Sequence, residues 1–73
     1  MKISNIGSNQ TEVTTAQGVF LVSYKTFVAA IIDGKAYRTS KKWSVTTSKH
    51  INAWLDGQTA VEKEQSFFDN LIA

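Results

Sequence analysis

The chain is expected to fold as an α+β domain, an antiparallel sheet of four to five short strands followed by two C-terminal helices. Three observations predict this. Short apolar and β-branched runs fill the chain as far as Thr39, with Gly7, Gly18 and Gly34 falling between them. Asp33-Gly34 joins two of those runs and is the strongest hairpin signal present, since a two-residue type I′ turn needs positive φ at both positions. Beyond Thr46 the apolar spacing becomes helical. One domain spanning residues 1–73 follows, with strands at about 2–40 and helices at about 47–56 and 59–72.

The first element, Lys2 to Ile6, is a short β-like opening ended by the turn signal Gly-Ser-Asn. Thr11 to Thr15 is rich in β-branched residues and reads as a strand. Ala16-Gln17-Gly18 gives a tight connection to a second strand, Val19 to Lys25, with Phe20, Val22 and Tyr24 on one face and Val19 and Leu21 on the other. Phe27 to Ile32 is apolar on both faces, the mark of a central strand covered on both sides. The Asp33-Gly34 turn leads into Lys35 to Thr39. It should pair Ile32 with Lys35, Ala30 with Tyr37, Ala29 with Arg38 and Val28 with Thr39.

Thr46-Thr47-Ser48 supplies N-cap hydroxyls ahead of Ile51, Trp54 and Leu55, and Gly57 is a natural stop. Thr59-Ala-Val-Glu62 matches a capping box and is expected to open the last helix. Val61, Phe67, Phe68, Leu71 and Ile72 would form its apolar stripe, and Glu62 and Glu64 suit its first turns. A stripe this wide either covers the sheet or docks a second copy or a partner, so a homo-oligomer through the C-terminal helix is a candidate arrangement.

Composition narrows the classes of function. With no cysteine and one histidine, the 73 residues must be held by packing, and their 42% hydrophobic content suffices for an ordinary core. No apolar run approaches the roughly 20 residues of a membrane helix, and polar Ser4 and Asn5 follow Met1-Lys2-Ile3 where a signal peptide would be apolar. A soluble cytoplasmic protein without a membrane role is the expectation. The net charge of +2 is small but unevenly spread. Lys35, Arg38, Lys41, Lys42 and Lys49 lie in a stretch without acids, whereas Asp56, Glu62, Glu64 and Asp69 follow with only Lys63 among them.

Enzyme chemistry is not expected. His50 is the only imidazole, and Asp56, the nearest acid, would stand about 600° around a helix from it. Ser44 or Ser48 could meet His50 in space, but a triad also needs an orienting acid and an oxyanion hole. His50 is therefore read as a partly exposed helix histidine. One histidine, no cysteine and scattered acids leave no metal-ligand spacing, and Gly34-Lys35 lacks the rest of a phosphate loop, so no metal or cofactor is expected. The pattern that does stand out is basic and aromatic. Lys41, Lys42 and Lys49 suit phosphates, Trp43 suits a stacked base, and Thr46, Thr47 and Ser48 line a helix start where an anion would sit.

Two stretches resemble small proteins encoded by tailed bacteriophages. Those proteins share a Ser-Tyr-x-Thr-Pro-Val-Ala-Ala segment and a Thr-Thr-Ser-Lys/Arg-His-Ile-Asn helix start. Ser23-Tyr24-Lys25-Thr26 and Val28-Ala29-Ala30 match the first, with Phe27 in the place of proline, and Thr46 to Asn52 matches the second. Without that proline the strand is expected to run on without a sharp bend. The resemblance covers roughly Thr11 to Leu55 and implies a phage origin and expression in a bacterium, but no activity.

The functional expectation is a non-enzymatic binding module, phage-encoded, that occupies a surface of a host protein as an inhibitor or modulator. Arg38, Trp43 and the last helix are its expected contacts, because arginine and aromatic side chains dominate interface energies. The alternative is a small nucleic-acid-binding module using the Lys41–Lys49 stretch, with His50 beside it.

Overall fold

The computed structural model describes residues 2–7 and 9–71. Strands β1 (Lys2–Gly7), β2 (Gln10–Thr15), β3 (Gly18–Ser23), β4 (Thr26–Ile32) and β5 (Lys35–Thr39) are followed by helix α1 (Val45–Leu55), strand β6 (Val61–Lys63) and helix α2 (Gln65–Leu71). The six strands lie side by side in chain order, antiparallel up to β5, and β6 joins β5 in parallel.

The α+β class and the five antiparallel strands agree with the sequence reading, and the turn chemistry explains why. Ile32 pairs with Lys35, Ala30 with Tyr37 and Ala29 with Arg38, as Asp33-Gly34 dictates, with φ of 52° and 77° at the two turn residues. Thr15 pairs with Gly18 across Ala16-Gln17, and the Gln17 N–H donates to Thr15 Oγ1. Gly18 cannot be replaced, because a Cβ there would collide with the Ile31 carbonyl of the neighbouring strand.

The sheet is covered on both faces, as the two-sided β4 predicts. On one face Ile51 and Leu55 of α1 pack on Leu21, Val28, Ala29 and Ala36. On the other, Phe68 of α2 packs on Val13, Phe20 and Ala30. Consecutive residues such as Phe20 and Leu21 serve opposite layers, as strand alternation requires. A bulge interrupts that alternation. Leu21 pairs with Ala29 but Val22 with Phe27, so Val28 is an extra residue and joins Ala29 in the α1-side cluster.

Four expectations need correction. The strand read as Val19 to Lys25 ends at Ser23, and a tight turn at Tyr24-Lys25 closes the Ser23–Thr26 pair even without proline. Tyr24 makes that turn by adopting φ of 59°. Helix α1 is capped by Ser44, whose Oγ accepts from the Thr47 N–H, rather than by Thr46, Thr47 or Ser48. Ser44 is extended, which frees its side chain to fold over the first turn. At the other end Asp56 and Gly57 take positive φ, in keeping with the expected stop.

The largest difference is at residues 59–64. No capping box opens a helix at Thr59, because Val61, Glu62 and Lys63 instead extend alongside Tyr37, Arg38 and Thr39. Pairing completes the outward backbone groups of β5, a non-local gain that outweighs one weak helical turn. The last helix therefore starts at Gln65, and its stripe of Phe67, Phe68 and Leu71 faces the sheet. Ile72 lies outside the described residues. Among the described residues no helix is long and apolar enough to cross a membrane.

Candidate functional site

At one end of the sheet the β3–β4 turn, the segment before β2 and the loop entering α1 surround an open cleft of about 480 Å³. Its floor is the buried Ser23, Val28 and Thr47, and the more exposed Asn9, Tyr24, Lys25, Thr26, Trp43 and Ser44 complete its walls. Lys25 is the single charged side chain in this lining.

The floor is pinned by hydroxyls. Ser23 Oγ lies 2.9 Å from His50 Nδ1 and 3.1 Å from Thr47 Oγ1, and Ser23 is only 2% exposed. Ser44 Oγ accepts from the Thr47 N–H at 3.1 Å and donates to Thr47 Oγ1 at 3.3 Å. With those two roles filled, the Thr47 proton is available to Ser23, and the Ser23 proton to His50 Nδ1. In the neutral ring the remaining proton then sits on Nε2. This chain satisfies buried polar atoms and ties the start of α1 to the end of β3. Tyr24 lies over the outer side, its ring centroid 6.1 Å from that of His50.

The walls are aromatic. Trp43 is 42% exposed and Tyr24 53% exposed. The indole is nonetheless held in place. Its Nε1–H donates to Gln65 Oε1 at 3.1 Å, and the Lys41 ammonium lies 4.0 Å from the ring centroid. Gln65 is a junction. Its Oε1 also accepts from Thr39 Oγ1, and its Nε2 donates to the Phe27 carbonyl and to Asp69 Oδ1. Both amide lone pairs and both amide protons are thereby used.

The basic stretch does not converge as a unit. Of the residues singled out from the sequence, Trp43 and Thr47 line the cleft and Lys41 stacks on Trp43. Lys42, Thr46 and Lys49 are exposed and Ser48 is half-buried, and none of the four lines it. Arg38 lies elsewhere, donating to Asn52 Oδ1 at 3.1 Å across β5 and α1. His50 is buried behind Ser23 rather than partly exposed, because β3 brings a hydroxyl to its ring from 27 residues away.

Tyr24, Lys25, Ser23 and Ser44 were not among the expected site residues. For Ser23, Tyr24 and Lys25 the sequence carried one usable signal. The segment Ser23-Tyr24-Lys25-Thr26 and the segment Thr46 to Asn52, on which the phage resemblance rests, meet here through the Ser23–Thr47–His50 contacts.

A family model described as a family of unknown function, DUF8033, matches residues 1–70, so the chain belongs to that family. No curated protein and no solved structure matches it.

Proposed function

We propose that this member of DUF8033 is a non-enzymatic binding module, phage-encoded, that acts by seating a segment of a host protein in the cleft between Tyr24 and Trp43. The observation that carries the reading is the state of Trp43. It is exposed on a cleft wall yet fixed by Gln65 and Lys41, so its placement costs little further entropy when a partner arrives. Exposed aromatic side chains over a concave surface are the usual anchors of a protein contact, and Tyr24 adds a second one to the lining.

The hydroxyl chain supports a binding role over a catalytic one. Ser23 Oγ is buried and already shared between His50 and Thr47, and no carboxylate among the described residues is hydrogen-bonded to His50. A serine nucleophile needs an accessible oxygen and an oriented base.

The test is affinity capture from bacterial lysate with the wild-type chain, Trp43→Ala and Lys49→Ala. A specific protein retained by wild type and Lys49→Ala but lost with Trp43→Ala is the expected result. A partner retained equally by all three would place the contact elsewhere.

Lys41 stacked on Trp43, and a lining whose one charge is Lys25, favour a second reading, a single-stranded nucleic acid held by base stacking and phosphate contact. Titration of the wild-type chain with single-stranded DNA and RNA separates the two. Quenching of tryptophan fluorescence that weakens steeply with salt belongs to nucleic acid, and the absence of quenching at low ionic strength removes it.

A further inference from the structure

The two outer strands of the sheet are finished in opposite ways. β6 is three residues long and carries Glu62 and Lys63, and shortness and charge both protect an open edge. β1 is twice that length, its one charged residue is Lys2, and Ile3 and Ile6 are 66% and 45% exposed.

Which backbone groups of β1 are free follows from the hairpins. Thr15 and Gly18 close a two-residue turn, so they exchange both hydrogen bonds. Alternation from that pair turns the N–H and C=O of Val13 and Thr11 toward β3, and those of Thr14 and Glu12 toward β1. The bond from the Tyr24 N–H to the Asn9 carbonyl continues the same parity. On β1, Thr14 pairs with Lys2 and Glu12 with Ser4. Lys2 and Ser4 therefore use their backbone groups inward, and Ile3 and Asn5 point theirs outward. Past Asn5 the register shifts, and the Gly7 N–H turns back onto Asn5 Oδ1 at 3.1 Å, which ends the flat run.

We infer that β1 pairs antiparallel with β1 of a second copy of this chain, about a twofold axis at Ser4. In this register Ile3 lies opposite the partner's Asn5 and Asn5 opposite the partner's Ile3, and each pair exchanges two backbone bonds. The outward groups of both copies are matched, which no register shifted by one residue achieves. Opposite residues must also share a face, and Ile3 and Asn5 do, since they pair with Val13 and Thr11 of β2. The two Ile3 side chains then become diagonal neighbours, about 7–8 Å apart, and shield each other from water. Charge selects the same arrangement, because a parallel mate would align the two Lys2 ammonium groups, whereas the antiparallel one sends them to opposite ends. The surface stands apart from the cleft, and the result is one continuous sheet through both copies. The flat run is short, so the dimer is weak and forms toward the upper end of a micromolar-to-millimolar range.

Sedimentation equilibrium of the wild-type chain over that range is the first measurement, with a shift from 8.1 kDa toward twice that mass expected. Ile3→Lys should weaken the association by about tenfold or more. The register is tested by oxidation, using the absence of native cysteine. Across the axis Ser4 faces its own copy at a Cα separation of about 4.5 Å, within disulfide range. The two Lys2 positions lie about 14 Å apart along the strands. Ser4→Cys should therefore cross-link many times faster than Lys2→Cys. A chain that stays monomeric to millimolar concentration overturns the inference, and so does a dimer in which Lys2→Cys cross-links as fast as Ser4→Cys.

Discussion

Ser23 Oγ meets His50 Nδ1 at 2.9 Å, joining the last residue of β3 to the middle of α1. The pair is buried, and Ser23 also serves Thr47, so one hydroxyl satisfies two side chains of the helix.

Ser23→Ala should therefore cost more than a surface serine does. It leaves Thr47 Oγ1 and His50 Nδ1 short of a partner in a buried site, a loss of about 1–3 kcal/mol. In a domain of this length that lowers the melting temperature by roughly 4–8 °C for each kcal/mol. Urea titration should show a lower midpoint with an unchanged slope. A shift within about 0.5 kcal/mol, as at an ordinary surface site, would mean the hydroxyl contributes nothing.

The helix start can be located by a pair of variants. Ser44→Ala removes the oxygen that accepts from the Thr47 N–H and should cost about 1 kcal/mol. Thr46→Ala, at an exposed first-turn position, should stay within about 0.5 kcal/mol of wild type. Equal losses in the two variants would return the cap to the Thr46–Ser48 cluster.

Tyr24 carries the strain of the β3–β4 turn, since a bulky residue at φ of 59° is held there at a cost of about 1–3 kcal/mol. Tyr24→Gly relieves that strain while adding unfolded-state entropy of about 0.5–1 kcal/mol. Thermal unfolding should show stability unchanged or higher, while partner capture falls. A clear loss of stability would show that the ring, through its packing on His50, matters more to the fold than the turn does.

Phe68 is fully buried against Val13, Phe20 and Ala30 and is the largest anchor of α2. Phe68→Ala should cost about 3–5 kcal/mol. The whole stability of such a chain is about 4–11 kcal/mol at 0.05–0.15 kcal/mol per residue, so the loss is a large share of the total and the urea midpoint should fall steeply. Near-native circular dichroism and an unshifted urea midpoint are the outcome that contradicts this.

What could be read from the chain divides by range. Asp33-Gly34 fixed the register of Ile32, Ala30 and Ala29 because a two-residue turn determines its own flanking pairs. The two-sided cover of β4 was legible because Phe27 to Ile32 offers no polar face. β6 was not, since Val61-Glu62-Lys63 is exposed throughout and owes its extended form to β5, a strand more than twenty residues earlier. Thr59 and Glu62 supplied a local helix signal that long-range pairing overruled. At the site, Trp43 was found by its neighbours Lys41 and Lys42. Tyr24 was hidden because it reads as the end of a strand, and Ser44 because it stands ahead of a denser run of hydroxyls. Gln65 gave no signal at all, for an amide becomes a junction only once the segments of Phe27, Thr39 and Trp43 bring their donors and acceptors to its own helix.

That junction has a mechanical meaning. The carboxamide that steadies the indole also clasps the Phe27 carbonyl on the central sheet and begins the final helix. An occupant that tilts the indole breaks one arm of a four-armed clasp and strains the others, so an event at the strand ends travels to the opposite layer. Amide exchange in residues 65–71 would then act as a remote gauge of occupancy, slowing when the ring is gripped and quickening when it is pulled away.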